Sequence, residues 1–230
     1  MPSHLVKVSQ MKQNDVEKII EDRFHGSACV CGAISTLQYP LLPEEDKYVQ
    51  KCVLKRRMEF TAGRTAARMA MKKLGIASTA IPRGENNMPI WPWTLIGSIS
   101  HCDNTCLCVI ADKTKYSSIG VDIEELHRVQ LELFPSIFSD DEITVLNKLQ
   151  NEDLAFHATA GFSIKEAFFK FQYPITRQWL GFKDVEVVVS SDKISLEIVS
   201  KAKIKNILPE YDCFFYSRNN LVVTGVFACH

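Results

Sequence analysis

Ile119-Gly-Val-Asp-Ile-Glu124 and, further along the chain, Phe162-Ser-Ile-Lys-Glu-Ala-Phe-Phe-Lys170 are the two stretches on which the fold turns. The first reads as a short strand, in which side chains two apart share a face, so Asp122 and Glu124 point the same way. Two adjacent carboxylates repel unless a cation sits between them. A few oxygen donors with room left for water and phosphate suit magnesium. A solvent-facing strand would carry the same pair without any function, so the pair needs a partner elsewhere.

The second stretch supplies one. With Phe162 at zero on a helical wheel, Glu166 falls at about 40°, Lys170 at about 80° and Ser163 at about 100°. The rest of the circle is Ile164, Ala167, Phe168, Phe169 and Phe171, broken only by Lys165. A helix that is apolar nearly all round, with one narrow polar slot, is a buried helix. On a surface, Glu166 and Lys170 would be an i, i+4 ion pair contributing a few tenths of a kcal/mol. Inside a phenylalanine-rich helix, desolvating that pair is unfavourable unless other groups, such as a metal, complete the network.

Outward from these stretches the chain mixes helix and strand, with no internal repeat visible in the sequence. Glu59–Leu74, rich in alanine and methionine and followed by Gly75, predicts a helix. It carries Arg64 and Arg68, with Arg57 in line if the helix starts early, so a basic stripe borders its apolar face. Ile81–Trp93, rich in proline, asparagine and glycine, predicts a loop. Gly97–His101 and Cys106–Ala111 predict strands, and the polar turn at Lys113–Ser118 marks a lobe boundary. Helices are predicted over Phe138–Leu149, opening at Ser139, and over Phe156–Phe171, with Pro174 beyond the end. Val185–Val189, Ile194–Val199, Cys213–Tyr216 and Leu221–Phe227 predict strands.

Lysine plus arginine equals aspartate plus glutamate, 27 of each in 230 residues. The whole surface therefore has no general attraction for nucleic acid, and any phosphate chemistry must be local. Neither a signal segment in Met1–Gln13 nor a membrane span is expected, which points to the cytoplasm. The eight cysteines read as reduced, buried thiols. His101, Cys102, Cys106 and Cys108 cluster, but without the paired spacing of a zinc site.

The two opening stretches, in this order and separation, resemble the paired signature of the Sfp-type phosphopantetheinyl transferases. Arg57-Met-Glu-Phe-Thr-Ala-Gly-Arg64 and Gly97-Ser-Ile-Ser-His-Cys102 are further similar to the enterobactin-synthetase branch of that family. The resemblance runs from Arg56 to about Lys170. It implies an α/β (α+β) fold of two similar, pseudo-twofold-related lobes, each a small sheet packed with a long helix, with the active site in the cleft. Residues 1–117 would form the N-terminal, nucleotide-binding lobe, and residues 118–230 the C-terminal lobe with the metal and the catalytic groups.

The same resemblance implies transfer of the phosphopantetheine arm of coenzyme A to a serine of an apo carrier protein, by a monomer, with release of adenosine 3′,5′-bisphosphate. Asp122, Glu124 and Glu166 would hold magnesium, Glu166 would be a candidate base, and Lys170 would compensate the leaving phosphate. Arg57, Arg64, Ser100, His101 and Lys170 would contact coenzyme A. The carriers implied are those of siderophore and other nonribosomal peptide synthesis. Alternatives are a non-catalytic coenzyme A or carrier-binding homologue and a broad-range transferase that also serves fatty-acid or polyketide carriers. Many relatives carry a basic residue just before the proline of the loop ahead of the Ser-His block; Asn86-Asn-Met-Pro89 has none, and Arg83 is a candidate substitute. The apolar run Leu131–Phe138 is a candidate docking surface for the carrier, with core packing as its plain alternative.

Overall fold

The computed structural model describes residues 14–190, 193–199 and 203–230. The opening Met1–Gln13 lies outside them, so the expectation about a signal segment does too. Within the described residues the chain runs through α1 (Asn14–Arg23), β1 (Ser27–Ala33), α2 (Pro43–Asp46), α3 (Leu54–Lys73), β2 (Leu95–Cys102), β3 (Thr105–Asp112) and β4 (Tyr116–Glu125). It continues through α4 (Phe134–Ile137), α5 (Asp140–Leu146), α6 (Asn151–Thr176), β5 (Val185–Val189), β6 (Ile194–Ile198), β7 (Asp212–Arg218) and β8 (Leu221–Cys229).

Two antiparallel sheets organise this path, ordered β1-β3-β2 and β4-β8-β7, beside a β5-β6 hairpin. In each sheet the first strand lies at one edge, the last strand in the middle and the penultimate strand at the other edge. A long helix, α3 or α6, comes between the first strand and the closing hairpin. The same β-α-β-β course is thus taken twice, and the architecture is two similar α/β lobes. Among the described residues no helix is long and apolar enough to cross a membrane.

The central strand β3 shows why its sequence is an unbroken apolar run: it is covered on both faces. Cys106, Cys108 and Ile110 pack with Ala62, Ala66, Ala67, Ala70 and Met71 of α3. Leu107, Val109 and Ala111 face the other way, into a core shared with Ile20 and Phe24 of α1, Ile119, Val121 and Ile123 of β4, and Phe214 and Phe227. All eight cysteines are free, and among the described residues no group of three potential ligands that include cysteine and histidine is placed to hold a metal.

From Ile119 to Glu124, β4 has the alternation that sequence reading assigned to it. Ile119, Val121 and Ile123 enter the shared core, while the even residues from Ser118 onward face α6; before the register shift at Ser118, Tyr116 joins the core as well. Ser118 Oγ donates to Phe171 O at 2.7 Å, and a Cβ on Gly120 would fall 2.0 Å from Ala167 O. Helix and strand therefore touch backbone to backbone at Gly120, and this contact holds Asp122 and Glu124 against α6. Gly120→Ala should cost more than about 3 kcal/mol, since overpacking at its ordinary worst costs that much and neither backbone can yield. Thermal unfolding should show a melting point lower by roughly 10 °C or an insoluble product; an unchanged melting point would refute the close contact.

Several expectations are corrected in detail. α6 does not end before Pro174 but carries it in its last turn and closes at Arg177, whose φ of 56° is left-handed and whose N–H reaches Tyr173 O at 2.9 Å. A proline this near a helix end removes one hydrogen bond without stopping the helix. α3 begins at Leu54, five residues before the predicted start, and so contains Arg57. α5 is shorter than predicted, but its start at Ser139 stands: Ser139 Oγ accepts from Glu142 N at 3.3 Å, and Ser139 N donates to Glu142 Oε2 at 2.8 Å. The run Leu131–Phe138 divides, with Leu131 and Leu133 exposed and Phe134, Ile137 and Phe138 in a local core.

Candidate active site

The facing edges of the two sheets, β2 and β4, are joined by side chains. Val121 N donates to Ser98 Oγ at 3.0 Å, and Ser100 Oγ donates to Asp122 Oδ1 at 2.6 Å. α6 closes the third side. Lys170 Nζ donates to Asp122 Oδ1 at 2.6 Å, to Ser100 Oγ at 2.8 Å and to Val121 O at 3.3 Å. Ser163 Oγ donates to the other carboxylate oxygen, Oδ2, at 2.9 Å. Asp122 is 2% exposed, so three donors compensate a carboxylate removed from water. Lys170 is not the surface partner of Glu166: its ion pair crosses from helix to strand.

The neighbouring carboxyls lack such compensation. Burial first, and then the Asp122 charge, pushes Glu124 up to about 8. Among the described residues its ion-pair partner is Arg128, whose Nε is 3.7 Å away and whose side chain is largely exposed. Burial also raises Glu166, with Lys170 opposing and Asp122 adding to the rise. Two carboxyls that protonate readily beside a third, in a junction holding one lysine, form a donor set short of positive charge. Among the described residues, no three acidic or other ligating groups stand close enough together to hold a metal in this arrangement, and Lys170 occupies the position beside Asp122.

Family comparison fits this seam from both sides. Residues 44–111 match the model of the 4′-phosphopantetheinyl transferase N-terminal domain, and residues 118–216 match that of the 4′-phosphopantetheinyl transferase superfamily. The chain belongs to the 4′-phosphopantetheinyl transferase superfamily. The 4′-phosphopantetheinyl transferase Npt of Nocardia iowensis is 35% identical over 156 residues, covering 66% of this chain and 69% of the relative. Enterobactin synthase component D of Salmonella typhi is 34% identical over 194 residues, covering 81% and 78%. The transferase PptT of Mycobacterium tuberculosis is 30% identical over 151 residues, covering 66% of each chain.

In this phosphopantetheinyl transferase the contact between Ser100 and Lys170 joins the two matched spans. Ser100, Asp122, Glu124, Glu166 and Lys170 therefore share one junction, as do His101 and its neighbours. His101 Nε2 lies 3.4 Å from Arg56 Nη1 and 3.8 Å from Glu59 Oε2. Burial holds its protonation below the usual histidine range, with Glu59 opposing and Arg56 and Lys170 reinforcing. A ring kept neutral in this way can accept as well as donate a hydrogen bond.

The arginine stripe does not act as a unit. Arg57 is exposed and pairs with Asp46 at 3.2 Å. Arg64 is buried, donates from Nε to Ile81 O at 2.9 Å and stacks over Phe60 at 4.1 Å. Arg68 pairs with the buried Glu45. The arginine beside His101 is Arg56, which sequence reasoning passed over for its neighbour. Lys165 turns away from the junction, bonding Glu142 Oε2 at 2.7 Å and Ile137 O at 3.0 Å. Asn86 bonds the Tyr173 hydroxyl at the end of α6, so the Asn86–Pro89 loop touches the C-terminal lobe, while Arg83 is exposed.

Proposed function

We propose that the junction of β2, β4 and α6 transfers the phosphopantetheine arm of coenzyme A to a serine hydroxyl of an apo carrier protein and releases adenosine 3′,5′-bisphosphate. The observation that carries this reading is the convergence of Ser100, Asp122 and Lys170 across the two halves of the chain. Residues 1–117 form the nucleotide side and residues 118–230 the chemical side.

The all-carboxylate set of Asp122, Glu124 and Glu166 fits a divalent cation in chemistry: these are hard oxygen donors, and burial first and the Asp122 charge second raise Glu124, both of which a bound cation would offset. Magnesium held by these three would neutralise charge on the pyrophosphate oxygens. Lys170 exchanges Asp122 for the leaving phosphate, which its flexible ammonium can follow. Glu166, raised by burial toward the working pH, accepts the proton of the attacking serine. Arg56 and His101, on the N-terminal lobe's side of the junction, engage the nucleotide's phosphates, with Ser100 between them and Lys170.

Beside Glu166 lies an apolar slot of about 190 Å³ lined by Phe169, Trp179, Leu180 and Phe182. It suits the neutral, flexible pantetheine arm. The carrier is one of siderophore or other nonribosomal peptide synthesis, and the enzyme acts as a cytoplasmic monomer. The reading is tested by product analysis. Adenosine 3′,5′-bisphosphate should accumulate from coenzyme A when magnesium and an apo carrier are both present; coenzyme A left intact with a range of carriers would contradict it.

The elevation of Glu124 has a consequence for the metal-free protein. Its carboxyl holds a proton up to about 8 when folded, against 4.5 as its ordinary value. The proton's stabilising contribution is therefore complete below 4.5 and is lost as pH rises through 8. In chelator, the melting point should fall between pH 5 and pH 8.5 by the equivalent of a few kcal/mol. Glu124→Gln should flatten that fall, and magnesium should reverse it at the higher pH. A variant whose fall matches the parent's would show that Glu124 does not carry the effect.

A further inference from the structure

Two hydroxyls stand behind Asp122. On β8, Thr224 sits among Val222, Val226 and Ala228, which pack with α6; on α6, Ser163 sits among Ala160, Ile164, Ala167, Phe168 and Phe171 of the same core, and of the buried polar residues of this helix it is the one that reaches Asp122 from behind. Thr224 is the register partner of Asp122, and Ser163 Oγ lies 2.8 Å from Thr224 Oγ1. Both side chains are fully buried.

The direction of these bonds follows from counting protons. Asp122 as a carboxylate only accepts, so Ser163 must give its single hydroxyl proton to Oδ2. Ser163 then has only lone pairs left for Thr224, which must donate. The chain therefore runs from Thr224 to Ser163 to Asp122 Oδ2, while Oδ1 faces Ser100 and Lys170.

We propose that Ser163 and Thr224 are positioning residues that pin the inner oxygen of Asp122, so that the carboxylate presents Oδ1 alone to the cleft and to the cation held there. This rests on the reading of Asp122 as a metal ligand given under Proposed function. Without the two hydroxyls the carboxylate would gain torsional freedom, and its two oxygens would compete for Lys170, Ser100 and the cation. Fixing a ligand from behind is the general way in which groups outside the coordination sphere set metal affinity.

The test titrates magnesium alone into the full, coenzyme-free chain by calorimetry, with melting points and transfer kinetics recorded in parallel. Ser163→Ala should weaken magnesium binding about tenfold. Thr224→Val should weaken it less, because Ser163 retains its own bond to Asp122. The double variant should match Ser163→Ala alone, because Thr224 acts only through Ser163. Ser163→Thr, which keeps the hydroxyl, should restore affinity, and in transfer the loss should be recovered at high magnesium with the KM for coenzyme A unchanged. Ser163→Cys keeps the volume with a weaker donor and serves if the alanine variant does not fold.

Additive losses in the double variant, or parental magnesium affinity in both Ser163→Ala and Ser163→Cys, would overturn the relay while leaving the metal site standing. A parent chain that transfers the arm but takes up no magnesium would overturn the metal reading and the relay with it.

Discussion

Lys170→Met should reduce transfer by at least a thousandfold, equivalent to about 4 kcal/mol of transition-state stabilisation. Among the described residues the ammonium is the one cation within hydrogen-bonding distance of Asp122, and loss of one preorganised donor at a site of developing charge typically costs a hundred- to a thousandfold. Loss of the Ser100 contact adds to this, because it loosens the junction between the lobes. Stability should fall too, but by less than the roughly 3–5 kcal/mol of a fully buried broken pair, since the Lys170 side chain keeps 26% of its exposure. The same variant should bind magnesium more tightly in the absence of coenzyme A, because the ammonium then no longer competes for Oδ1. Initial rates and a calorimetric titration check both outcomes, and near-normal turnover with unchanged magnesium binding would remove Lys170 from the mechanism.

Glu166→Gln should be the complementary case, with activity lost and stability kept. A positioned base contributes about a hundred- to ten-thousandfold, and loss of a metal-binding oxygen acts in the same direction. Yet burial already disfavours the Glu166 carboxylate, so an isosteric amide should leave the metal-free melting point at pH 8 equal or higher. An activity-destroying change that also stabilises is the mark of a group strained for function. Retained turnover would assign proton transfer elsewhere, and a large fall in melting point would show that Glu166 supports the fold.

Where the site could be read in advance, the reason was periodicity. The two-residue period of β4 sufficed to put Asp122 and Glu124 on one face, and the helical wheel put Ser163, Glu166 and Lys170 in one slot. Both arrangements stand in the fold because each needs only local geometry. The pairing of Lys170 with Asp122 needs the helix laid across the strand, a contact between residues far apart in sequence. Arg56 escaped the sequence reading for a similar reason. Adjacent helical residues point about 100° apart, and only the position of His101 on β2 shows that Arg56 is the one beside it. Thr224 gave no sign of its role, since a threonine among valines is ordinary in a strand until the register places it opposite Asp122. The repeated β-α-β-β course left no trace in the sequence either, because two lobes can share a path with only the burial pattern in common.

The most direct test of the central claim is intact-mass analysis of a purified apo carrier protein after incubation with this chain, magnesium and coenzyme A. The account predicts that the carrier gains the mass of one phosphopantetheine group with the parent chain, and none with Lys170→Met over the same interval. A carrier that keeps its apo mass with the parent chain across aryl, peptidyl and acyl types, or one that is converted equally well by the variant, would contradict it.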